Sequence, residues 1–123
     1  MCKNTMLIKE VFDYIFSPTS FEYKNIKKIL KKLSIIQGFG VEGYVSVCFS
    51  AEFKKGEEDY FGENKVCFTF SEPAVEKDVE IVITYEEFYE IVFKYFKEYA
   101  DSNPKESEEI TSLLSVLKTN LNL

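Results

Sequence analysis

The stretch Val41-Glu42-Gly43-Tyr44-Val45-Ser46-Val47-Cys48-Phe49-Ser50-Ala51-Glu52-Phe53 decides the fold. Its odd positions are Val41, Gly43, Val45, Val47, Phe49, Ala51 and Phe53, and its even positions are Glu42, Tyr44, Ser46, Cys48, Ser50 and Glu52. An extended chain points successive side chains to opposite faces, so strict alternation over thirteen residues predicts one long strand with a buried and a more polar face. Lys54 to Gly62 reads as a hairpin loop, punctuated by Gly56 and Gly62 and carrying Glu57, Glu58 and Asp59. A second strand over about 65–71 sets Val66, Phe68 and Phe70 against Cys67 and Thr69. A turn holding Glu72 and Pro73 ends near Asp78, and a third strand over 79–84 aligns Val79, Ile81 and Ile83. Ile35–Phe39 is a weaker candidate for a fourth strand. Connections this short join antiparallel neighbours, because parallel pairing needs a long crossover. The Val/Phe face is expected to lie under helices. The face with Tyr44, Ser46, Cys48, Thr69 and Glu80 is expected to be partly open.

Helical spacing replaces alternation on both sides. Leu7, Ile8, Val11, Phe12 and Ile15 make one face over residues 5–16, which Ser17-Pro18 breaks. A second helix starts near Ser20 and aligns Ile26, Ile29, Leu30 and Leu33, with Lys24, Lys27, Lys28, Lys31 and Lys32 between them. After the strands, Thr84 and Glu87 fit a capping box. Phe88, Ile91, Val92, Tyr95, Phe96 and Tyr99 then form a stripe that reads as core, with tyrosine hydroxyls at its margins. Asn103-Pro104 reads as an N-cap followed by a first-turn proline, ahead of Ile110, Leu113, Leu114, Leu117 and Leu121. Helices segregated from strands indicate an α+β domain: an antiparallel meander sheet of three or four strands flanked by N-terminal and C-terminal helices.

The chain of 123 residues suits one domain, 1–123, and is long enough to bury about two thirds of its unfolded surface. It contains no His, no Trp and no Arg, since all 15 basic residues are Lys. That excludes imidazole bases, His-containing zinc sites and guanidinium clamps on phosphate. The remaining residues assemble no nucleophile, base and orienting group, so an enzyme is not expected. Gly38-Phe39-Gly40-Val41-Glu42-Gly43 matches G-x-G-x-x-G. However, a helix ends before it and a strand follows, the reverse of a dinucleotide site. Its glycines instead suit a loop and strand entry, where they permit positive φ or a close backbone approach. The acidic runs lack calcium-loop spacing, so neither cofactor nor metal is expected. Cys2, Cys48 and Cys67 have no metal or disulfide spacing and read as reduced thiols. No apolar run reaches membrane-spanning length and the N-terminus has no signal-peptide pattern, so a cytoplasmic protein without membrane contact is expected.

The net charge of −6 is unevenly spread: residues 1–34 carry +4 and residues 35–123 carry −10. An acidic surface repels nucleic acid and attracts basic partners. Glu57, Glu58, Asp59 and Glu63, with Glu72, Glu76 and Asp78, cluster in the strand-connecting turns and are the candidate binding residues.

The run from Gly38 to Phe49, the acidic loop, Val66-Cys67-Phe68-Thr69-Phe70 and Val79 to Phe88 together resemble the small immunity proteins of bacterial contact-dependent growth inhibition, the CdiI type that protects against ribonuclease toxins, including those of Neisseria-type systems. The resemblance covers roughly residues 35–100. It implies a fold likened to the Whirly single-strand DNA-binding proteins. It also implies a cytoplasmic partner, the cognate toxin nuclease domain, bound 1:1 by a monomer so that its active site is blocked. It supplies no catalytic residues. Charge supports the same reading, because a basic nuclease cleft is complementary to a −10 segment. The alternative is a single-stranded nucleic-acid-binding module using the lysine face of residues 24–32 and tyrosines, against which the net charge and the missing Arg both count.

Overall fold

The computed structural model describes residues 3–41, 45–52, 63–71 and 78–123. Helix α1 (Lys3–Ile15) and helix α2 (Ile26–Ser34) precede strands β1 (Phe39–Val41), β2 (Val45–Phe49), β3 (Lys65–Phe70) and β4 (Val79–Thr84). Helices α3 (Tyr85–Ser102) and α4 (Pro104–Asn120) follow. The four strands form one antiparallel sheet in the order β1-β2-β3-β4, so the α+β meander stands; its extra strand is Phe39–Val41, and of the expected Ile35–Phe39 only Phe39 belongs to it.

The long alternating run is two strands, not one. Val41 pairs with Val45, Gly40 with Ser46 and Phe39 with Val47, so the chain reverses between Val41 and Val45. Three residues separate that closing pair, an odd number. Folding back there keeps every odd position on one face, and period-two alternation is the same for a straight strand and for this hairpin. The run also ends earlier than its pattern, in a 3₁₀ turn at Ser50–Glu52. The Glu52 carboxylate leaves the strand face and accepts the N–H groups of Phe49 at 2.8 Å and Gly38 at 3.1 Å. It thereby ties the end of β2 to the approach to β1. Phe53 and the loop through Gly62 lie outside the described residues.

The pairing register builds two faces. Val41, Val45, Phe70 and Val79 form one row of the apolar face, Phe39, Val47, Phe68 and Ile81 the next, and Phe49, Val66 and Ile83 the third. Helices α1 and α3 lie on this face. Phe12 of α1 meets Phe68 edge-on at 6.4 Å, and Phe88 of α3 meets Phe49 at 5.4 Å. The other face carries Gly40, Ser46, Thr69 and Glu80 in one row and Cys48, Cys67 and Val82 in the next. Glu80 and Val82 are exposed there, in keeping with a partly open face.

The helices follow their sequence signals with two local differences. Ser20 first caps a 3₁₀ turn, Phe21–Asn25, by accepting the Tyr23 N–H at 3.1 Å, and α2 continues from it. Thr84 and Glu87 form the expected reciprocal capping box of α3. Asn103 makes no cap bond to α4. Its side-chain amide instead donates to the Tyr99 carbonyl at 2.8 Å and satisfies the end of α3. Proline at the start of α4 removes one of the N–H groups a cap would serve, which frees Asn103 for this role. Helix α4 packs along α3 with Ile110, Leu114 and Leu117 buried, and α2 packs along α4 with Ile26, Ile29, Leu30 and Leu33 buried. The Asn120 amide closes that contact by donating to the Ser34 carbonyl at 2.5 Å.

Candidate functional site

Of the seven acidic candidates, Glu63 and Asp78 are described, and both are exposed. Glu57, Glu58, Asp59, Glu72 and Glu76 lie outside the described residues. The register separates the two anchors. Lys65 pairs with Thr84 at one end of the β3–β4 ladder, and Phe70 with Val79 at the other. Glu63 leads into the first end and Asp78 into the second. Six residues of strand separate these ends, a distance of roughly 17–20 Å. The acidic sequence groups are therefore attached to opposite ends of the sheet, as the order of loop, strand and turn implies. The Glu63 end also holds the α3 N-terminus, where the Tyr85 N–H donates to the Asn64 carbonyl at 3.1 Å and Glu86 is exposed. A helix N-terminus favours carboxylates, so negative charge is tolerated at this end.

The lysine face of α2 is partly neutralised within the protein. The Lys27 ammonium lies 3.1 Å from the Glu106 carboxylate and 3.5 Å from Glu109, and Lys31 lies 3.6 Å from Glu109. Glu106 also accepts the Tyr99 hydroxyl at 2.5 Å. That hydrogen bond and the ammonium of Lys27 hold the Glu106 carboxyl below the usual carboxylate range. The lysine face of α2 thus meets a partner helix, α4, at Lys27 and Lys31.

The tyrosine hydroxyls at the margin of α3 are likewise engaged. Tyr89 donates to the Leu114 carbonyl at 3.4 Å, and Tyr95 to the Asp13 carboxylate at 2.5 Å. Burial, followed by the Asp13 carboxylate, pushes the Tyr95 phenol well above its ordinary value, and Tyr99 behaves alike beside Glu106. Both therefore remain protonated donors. The pairing of Asp13 with Tyr95 spans 82 residues of sequence, and no local pattern signals it.

Cys48 and Cys67 are direct partners across β2 and β3 and are free thiols. The Cys67 thiol contacts Thr69 and donates to the Glu80 carboxylate, each at 3.8 Å. Burial is the main cause that raises both thiols above the ordinary cysteine value, with Glu52 adding to it at Cys48 and Glu80 at Cys67. A raised thiol pKa means less thiolate at a given pH. Cys48 and Cys67 should therefore alkylate more slowly than glutathione at pH 8, and their rates should rise only at higher pH. Peptide mass spectrometry after timed iodoacetamide treatment checks this, and rates equal to a free thiol would refute it.

Among the described residues, no three His, Cys, Asp or Glu side chains are grouped to hold a metal ion, and no helix is long and apolar enough to cross a membrane. What the arrangement offers is surface: exposed carboxylates, a partly open sheet face and internally paired lysines. This defines an α+β domain with an antiparallel meander sheet. The sequence model of the CDI immunity protein family matches residues 5–114, and the chain belongs to that family. It is accordingly an immunity protein of contact-dependent inhibition, whose family role is to bind a cognate toxin. No curated protein and no solved structure matches the chain.

Proposed function

We propose that this immunity protein neutralises a nuclease toxin domain, of the ribonuclease class, by laying acidic surface into the toxin's basic active-site cleft. The complex is 1:1 and forms in the cytoplasm of the producing cell. The observation that carries this reading is the sorting of charge. Glu63 and Asp78 are exposed at the sheet ends, while Lys27 and Lys31 of the basic segment spend their charge on Glu106 and Glu109. The segment from residue 35 onward bears −10, and such a field speeds encounter with a basic partner. The single-stranded nucleic-acid reading has less to stand on, because two of its five lysines already face carboxylates.

The test is affinity for the nuclease domain encoded beside this chain. Reversal of Glu57, Glu58 and Asp59 together to Lys should weaken binding at least ~10-fold and flatten its salt dependence. A second variant reversing Glu72, Glu76 and Asp78 examines the opposite end of the sheet. Loss confined to one variant assigns the contact to that end. Unchanged affinity in both, or the absence of any complex with the unaltered protein, would overturn the reading.

A further inference from the structure

Away from the sheet ends, α1, the Phe21–Asn25 turn and α3 enclose a cleft of about 450 Å³. This is within the size range of ordinary ligand sites. It is lined by the aromatic residues Phe16, Tyr23, Tyr95 and Tyr99 and by the acidic residues Asp13 and Glu98. The rings form a continuous wall, with centroids 5.5 Å apart for Phe16 and Tyr95, 6.1 Å for Phe16 and Tyr99, and 5.8 Å for Tyr23 and Tyr99. Among the described residues no lysine lines the cleft and no ion pair involves Asp13 or Glu98. Glu106, one step away, differs because Lys27 already neutralises it at 3.1 Å.

Aromatic faces and open carboxylates around one cavity suit an organic cation. A ring attracts a cation held within about 6 Å of its centroid, and the attraction grows when water is excluded. Tyr95 and Tyr99 strengthen this, because a phenol that donates to a carboxylate enriches its own ring in electron density. A planar guanidinium fits better than an ammonium. It can stack on a ring while its edge donates to a carboxylate, and its charge is weakly hydrated.

We propose that this cleft receives an arginine side chain of the toxin, as a second anchor distinct from the acidic turns. The proposal rests on the toxin-binding reading, and it adds the contact and the residue type. Asp13 and Glu98 supply the countercharge, and Phe16, Tyr23, Tyr95 and Tyr99 supply the stacking surface. An interface arginine held this way is flanked by rings that shield it from water, a setting in which single residues contribute strongly to binding.

Two measurements test it. The first uses the whole protein and a blocked arginine, N-acetyl-arginine methylamide, at millimolar concentration. The ring resonances of Tyr23, Tyr95 and Tyr99 should shift, more than with the blocked lysine analogue or with the free diamine putrescine. The shifts should vanish in the double variant Asp13→Asn, Glu98→Gln. Both replaced residues are exposed and both changes preserve shape, and the amide oxygen at residue 13 still accepts the Tyr95 hydroxyl, so the far-ultraviolet spectrum should stay as in the unaltered chain and the melting temperature should fall by only a few degrees. The second measurement is toxin affinity, which the double variant should reduce at least ~10-fold while the unaltered protein binds. Absence of ring shifts in the unaltered protein overturns the cleft assignment, whatever the toxin does. Equal response to putrescine makes the cleft a site for free cations and overturns the arginine assignment. Full toxin affinity in the double variant overturns the anchor and leaves the toxin-binding reading intact. Failure of the unaltered protein to bind toxin overturns that reading, and the ring shifts still judge the cleft.

Discussion

Phe88→Ala should lower stability by about 4 kcal/mol, which corresponds to a fall of about 15 °C in melting temperature for a chain of this size. Phe88 is fully buried on α3 and lies 5.4 Å from the Phe49 ring and 6.1 Å from the Phe68 ring. It thus fills the space where β2, β3 and α3 meet. Truncation removes the apolar area of the ring and leaves a void whose walls belong to three elements of fixed spacing, so collapse is limited. Phe93 lies five residues along the same helix with 42% of its surface exposed, and Phe93→Ala should cost less than about 0.5 kcal/mol. Thermal and urea unfolding followed by circular dichroism measure both. A cost below about 2 kcal/mol for Phe88→Ala would mean that the helix is seated on the sheet by other residues.

Gly38→Ala should cost about 3 kcal/mol, although alanine ordinarily improves on glycine in a folded segment. A methyl group on residue 38 would sit 1.9 Å from the Val47 carbonyl oxygen and 2.9 Å from its carbon. Both atoms belong to the backbone of β2, which is held by β1 on one side and β3 on the other. Relief therefore requires moving the approach to β1 outward, which also strains the Gly38 N–H bond to Glu52. Gly40 provides the contrast within the same motif. A methyl group there would be 3.6 Å from the Val45 oxygen, an ordinary contact, so Gly40→Ala should change stability by less than about 1 kcal/mol. Equal effects at the two glycines, measured by urea unfolding, would contradict this.

These two residues show what the sequence makes legible. The close backbone approach expected of the glycine motif holds at Gly38 for a stated steric reason. The stripe containing Phe88, Val92 and Phe96 is buried as its spacing indicates, and β3 and β4 begin and end within a residue of their alternation. Those features are local, and local periodicity records them. The division of residues 41–53 into β1, β2 and a 3₁₀ turn escapes because an odd-length reversal preserves alternation. The role of Asn103 escapes because the same side chain suits either neighbouring helix. The cleft escapes for a different reason. Asp13 and Phe16 meet Tyr95 and Tyr99 only when helices some 80 residues apart in sequence lie side by side, and each residue taken singly has an unremarkable place on its own helix. The acidic turns are visible as charge, and their attachment to opposite ends of β3 follows from the order of the elements.

The packing of α2 along α4 also has a consequence during synthesis on the ribosome. About 70 residues separate the end of α2 at Ser34 from the start of α4 at Pro104, so at typical translation speeds α2 waits about 4–14 s for its partner. Throughout that interval Ile26, Ile29, Leu30 and Leu33 have no α4 to cover them. The five interspersed lysines then act as solubilising groups for a nascent segment that has not yet met Glu106 and Glu109. The charge pairs between α2 and α4 can therefore form only after the last helix has been made.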